Sequence, residues 1–93
     1  MEPFKFYQEE YNAYLEGLDS MAGSCEDESD FNYACSLVLV SRGSLLGILD
    51  LLHYLNHIDD KVYHSERMKV TSTFNVNHFD NVVRERGFLC TVE

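Results

Sequence analysis

The sequence predicts an α+β fold, a small single domain of about three helices packed on a short antiparallel or mixed sheet. Three observations predict it. Residues 4–21 and 44–58 carry apolar side chains at helical spacing, residues 68–76 alternate apolar with polar, and residues 37–40 form a short apolar run containing Val38 and Val40. A winged-helix-like arrangement is the alternative. In it, residues 31–40 and 44–58 form a helix–turn–helix and residues 61–76 form the wing.

The first helix, over 4–21, rests on Phe4, Tyr7, Tyr11, Tyr14, Leu15, Leu18 and Met21, which recur at three- and four-residue spacing. Pro3 suits its first turn. Glu9, Asn12, Glu16 and Asp19 share a polar ridge on another face. Residues 22–30, AGSCEDESD, read as a small, polar, acidic loop. Residues 31–41 read as a buried strand, with a short helix capped by Asp30 as the alternative. Residues 44–58 read as a helix capped by Ser44 and apolar over most of its circumference, the central helix of the core. Residues 61–76 predict a β-hairpin or two short strands, with the turn near Ser65 and Glu66, because Met68, Val70, Ser72, Phe74 and Val76 alternate with Lys69, Thr71, Thr73 and Asn75. Asn77 then caps a helix over 78–86 with Asp80 as its box-like partner, Gly87 ends it, and residues 88–92 close the fold as a strand.

The 93 residues suffice for one core and one domain, 1–93, with the acidic loop at 22–30 as its one polar interruption. The hydrophobic share of 45% and the charged share of 25% are those of a globular chain, not a disordered one. The net charge of −9 is distributed unevenly. Residues 1–30 hold nine acids against Lys5, a net of −8, whereas residues 31–93 hold seven acids and six bases, a net of −1. This charge opposes direct nucleic-acid binding and anionic membranes and favours a basic protein partner. The acidic start lacks the basic and apolar regions of a secretory leader. No run approaches 18 consecutive apolar residues, so no membrane span is expected. Three scattered cysteines, Cys25, Cys35 and Cys90, fit a reducing cytoplasm, with Cys35 and Cys90 in the core and Cys25 exposed.

Few residues carry a chemical signature. Asp50, His53 and His57 share one face of the second predicted helix at i, i+3 and i+7, and their groups suit a first-row divalent ion. A solvated polar stripe explains the same spacing, and so does a pH-sensitive contact. The helix that a winged-helix arrangement would put in the groove has no Arg, Lys or Gln over 44–58, so base readout has no donors. No nucleophile elbow and no phosphate-cradling loop is present. The acids at 26–30 lack the glycine and the length of an EF-hand loop. No catalytic residue, cofactor or metal is assigned.

The expected function is therefore that of a small acidic binding protein, an inhibitor or modulator that occludes the surface of a basic, nucleic-acid-binding partner by charge mimicry. Its expected contact residues are Glu9, Glu16, Asp19, Glu26, Asp27, Glu28 and Asp30, with Tyr7, Tyr11 and Tyr14 as aromatic anchors. The alternatives are a homodimeric structural or assembly protein, joined through the aromatic stripe or the strand 68–76, and a metal- or pH-linked regulator. In general style the chain is similar to small phage or accessory-element proteins. The expected location is the cytoplasm, the host's for a phage origin.

Overall fold

The computed structural model describes residues 2–85. The chain forms four α-helices, α1 (Pro3–Ser24), α2 (Glu28–Tyr54), α3 (Asp60–Thr73) and α4 (Val76–Glu85). The architecture is an all-α four-helix bundle with no strand among the described residues. This corrects the α+β expectation and its winged-helix alternative. The predicted strand at 88–92 and the Gly87 terminator lie outside the described residues.

The first helix forms as its apolar stripe requires, and Pro3 opens it. It runs through Ser24, so the expected acidic loop at 22–30 shortens to residues 25–27. The acids that follow serve α2. Asp27 is its N-cap, accepting from the Asp30 amide at 2.8 Å, and Asp30 accepts from the Glu26 amide at 3.1 Å. Glu28 and Asp30 lie in the first turn, where negative charge complements the helix dipole. Replacing Asp27 with alanine is expected to cost about 1 kcal/mol. Its melting temperature, followed by circular dichroism, should fall by about 4–8 °C; an unchanged melting curve would show that the cap is dispensable.

The region read as strand, turn and helix is one 27-residue helix. Ala34, Val38, Ser41, Leu45, Leu49 and Leu52 are its buried residues, spaced by four and three throughout. That continuous stripe overrides the β preference of Val38 and Val40, a weak prior against tertiary packing. Ser44 lies inside the helix and caps nothing. α2 ends at Tyr54, and Asn56, just past the Leu55 cap, takes a left-handed φ of 63°. The Asn56 amide donates to the His53 carbonyl at 3.0 Å and the His57 amide to the Leu52 carbonyl at 2.8 Å, the two bonds of a Schellman closure.

The predicted hairpin at 61–76 is also a helix. Asp59 caps α3 by accepting from the Val62 amide at 2.8 Å. Val70 and Phe74 are fully buried, while Met68 is 72% exposed. A strand would put Met68 beside Val70; two residues along a helix put it on nearly the opposite side. Asn75, rather than Asn77, starts α4, accepting from the His78 amide at 2.8 Å. The same side chain donates to the Thr71 and Ser72 carbonyls at 3.0 Å, so one residue closes α3 and opens α4. Asp80, expected as the box-like partner of Asn77, pairs with Arg84 at 3.0 Å.

The core is continuous through all four helices. α2 lies between α1 and α3, whose backbones stay apart and meet through long side chains. α4 closes one end, with Phe79 stacked on Phe31 at 5.8 Å. The molecule is elongated, 49 × 22 × 18 Å, along the direction that α2 sets.

Candidate functional site

The seven expected acidic contact residues are all exposed. Glu9, Glu16 and Asp19 are exposed on α1, where Glu16 and Asp19 line a groove with His78 and Val82 of α4, and Glu26, Asp27, Glu28 and Asp30 are exposed where the chain turns into α2. A rigid helix therefore holds one part of the charge and a capped turn holds the other. Elsewhere Asp60 pairs with His53, Asp50 with Arg67, Glu66 with Lys69 and Asp80 with Arg84.

The aromatic stripe of α1 points the other way. Tyr7 is 1% exposed and Tyr11 is also buried, while Tyr14 is half-buried. Tyr7 donates its hydroxyl to Glu66 Oε1 at 3.1 Å, and the Tyr11 and Thr73 hydroxyls lie 3.2 Å apart. Lys69 Nζ sits 4.6 Å from the centre of the Tyr11 ring. The tyrosines thus bridge α1 to α3 beneath a groove of about 410 Å³ lined by Tyr7, Gln8, Tyr11, Asn12, Glu66 and Lys69. Their rings are interior, so the aromatic anchors expected on the surface are core side chains at Tyr7 and Tyr11. Cys25, expected to be exposed, is half-buried against the core.

The Asp50, His53 and His57 triad is divided. Asp50 and His53 face α3. The Tyr63 hydroxyl donates to Asp50, and Arg67 donates to the same oxygen at 3.2 Å. The His53 ring lies nearly parallel on Tyr63, with centroids 4.1 Å apart, and its Nε2 meets Asp60 Oδ1 at 2.6 Å. That hydrogen bond and the His53 charge hold the Asp60 carboxyl below its usual range. The Asp50 hydrogen bond is the main cause raising the Tyr63 phenol. His57 lies beyond the left-handed Asn56 and lines a groove with Pro3 and Phe6 instead. The left-handed turn breaks the helical phase that would have carried it to Asp50. No group of three or more metal-ligating side chains forms among the described residues. What the polar stripe of α2 does is dock α3.

One surface was missed from the sequence, because a helix apolar on all sides reads as buried. Between Phe31 and Leu49, α2 contains one charged residue, the half-buried Arg42. Its outer face carries Tyr33, Val40, Leu51 and Tyr54, which are 69%, 61%, 55% and 81% exposed. Phe6 of α1 joins Ile48, Leu51 and Leu55 in an apolar groove of about 300 Å³ at one end. By length and composition α2 is apolar enough to cross a membrane; an 18-residue window has mean hydropathy 1.7, and 28% of it is buried in the protein.

No protein-family model matches this chain, and neither a curated protein nor a solved structure resembles it at a significant level.

Proposed function

We propose that the protein is a non-catalytic binding protein whose acidic face docks onto a basic, nucleic-acid-binding protein and occludes that partner's binding groove. The observation that carries this reading is the exposure of Glu9, Glu16 and Asp19 on α1 and of Glu26, Asp27, Glu28 and Asp30 around the turn into α2, in a third of the chain that holds Lys5 as its one base. Opposite charge across such an interface speeds encounter and rejects acidic competitors. The helical scaffold keeps the charges at fixed positions, so little ordering entropy opposes docking. Asp27 and Asp30 have a second task in capping α2, whereas Glu9, Glu16 and Glu26 hold their carboxylates outside that cap.

The test compares the wild-type chain with the triple variant Glu9→Lys, Glu16→Lys, Glu26→Lys as bait in lysate of the native host. Wild-type protein is expected to retain a basic partner that elutes as salt rises. The variant is expected to lose about 1–3 kcal/mol of binding, roughly five- to 150-fold in affinity. Equal retention by both baits, insensitive to salt, would remove the acidic face from the function.

A further inference from the structure

The outer face of α2 asks for a cover that the protomer does not supply. Tyr33, Leu37, Val40, Ser44, Gly47, Leu51 and Tyr54 follow one another at alternating spacings of four and three. That is a seven-residue repeat over three heptads, the pattern of a seam between two helices. The buried stripe that faces α1, α3 and α4 is a different one, through Ala34, Val38, Leu45, Leu49 and Leu52. α2 therefore has a second stripe, half-buried at Leu37 and Ser44 but exposed at Tyr33, Val40, Gly47, Leu51 and Tyr54.

The seam is also symmetric about its middle. Large side chains, Tyr33 and Tyr54, stand at its two ends, and small ones, Gly43, Ser44 and Gly47, stand at its centre. A Cβ built on Gly43 or Gly47 meets nothing within 4 Å, so nothing inside the protomer requires glycine there. Each glycine nevertheless costs a helix interior about 0.5–1 kcal/mol relative to alanine. Small residues at the crossing point let a second helix backbone approach closely.

We infer that this face is the interface of a homodimer, in which α2 of one copy packs antiparallel on α2 of a second copy across Gly43 and Ser44. This inference goes beyond the acidic-face reading and does not rest on it. The antiparallel register sets Val40 of each copy against Gly47 of the other, large into small. It sets Leu37 against Leu51 and brings Tyr33 to Tyr54. A parallel pair would instead place the acidic turns of both copies, Glu26 to Asp30, side by side, where like charges repel. The exposed parts of Tyr33, Val40, Leu51, Tyr54, Leu55 and Phe6 amount to roughly 700 Å² per copy, close to the ~800 Å² per partner of a stable interface. Glu9, Glu16 and Asp19 of α1 are not among the residues of this contact.

Sedimentation equilibrium of the full chain from low to high micromolar concentration tests the proposal. A dimer is expected for the wild type. Val40→Glu is expected to raise the dimer dissociation constant by roughly a hundredfold or more, with helical circular dichroism unchanged because position 40 is exposed in the protomer. Orientation follows from oxidising Val40→Cys mixed with Gly47→Cys. Antiparallel packing links 40 to 47 between the two variants, and a self-linked Val40→Cys overturns the antiparallel register. A wild-type chain that stays monomeric throughout overturns the homodimer, as does a dimer that Val40→Glu leaves intact. Monomeric chain that partitions into neutral phosphatidylcholine vesicles gives the face to lipid and overturns it too.

Discussion

Replacing Phe79 with alanine is expected to cost about 3–5 kcal/mol, a large part of the roughly 5–15 kcal/mol that stabilises a chain of this size. The reason lies in how α4 is held. A ten-residue helix is shorter than the ~12–15 residues that persist alone in water, so packing must hold it. Phe79 and Val83, one turn apart, are both fully buried, and they are the buried residues of α4. Phe79 also stacks on Phe31, near the start of α2. Truncation removes the ring from both helices and leaves a void at the end of the core. Urea unfolding should show a sharply lower midpoint, and the helical signal in water should fall as α4 detaches. A loss below about 1 kcal/mol would mean that the site collapses around the missing ring and that α4 is held by something other than this contact.

The helical part of the fold was legible where one period was unambiguous. In α1 the apolar positions fall on one side and the acids on another, so both the helix and its exposed ridge follow from spacing alone. In α3 two periods coincide. Val70 and Phe74 are four apart, which satisfies a helix as well as a strand, and the Ser and Thr residues between them favour the strand reading. Met68 separates the two, but its exposure is visible only once the helix is built. In α2 the valines and Gly43 imitate a strand followed by a turn. What joins them is a stripe whose length becomes evident only when three other helices pack on it. The same division holds at the functional surfaces. The placement of Glu9, Glu16 and Asp19 needs only periodicity, and they are exposed. The inward turn of Tyr7 and Tyr11 needs α3, which the sequence disguised. Asp50 and His53 do share a face, yet their partners Asp60, Tyr63 and Arg67 belong to that same disguised helix. The open face of α2 could not be read at all, since coverage on one side only is a property of the assembled bundle.

Raising the pH is expected to unfold the protein through Tyr7, and Tyr7→Phe should make the folded state more resistant. Burial is the largest cause that lifts the Tyr7 phenol far above its ordinary value, followed by the charge of Glu66 and the hydrogen bond to it. In the unfolded chain the same phenol ionises near pH ~10. The folded state therefore keeps the proton where the unfolded state gives it up. The resulting stability is fully present below pH ~10 and is lost as pH rises toward the folded value, by up to about 1.4 kcal/mol for each pH unit. Phenylalanine cannot ionise, so the variant escapes this loss. At neutral pH it forfeits the hydrogen bond to Glu66, about 1 kcal/mol, and leaves Glu66 with Lys69 at 3.9 Å. The two stability curves must then cross, with wild type higher near neutrality and Tyr7→Phe higher in strong alkali. Tyr63 is also raised, through Asp50, but solvent at that site screens the effect, so Tyr63→Phe should move the alkaline limb less. Urea unfolding at a series of pH values reads all three chains. Parallel curves for wild type and Tyr7→Phe would mean that water reaches the phenol in the folded state, and that the α1–α3 seam is looser than a 1% exposed ring implies.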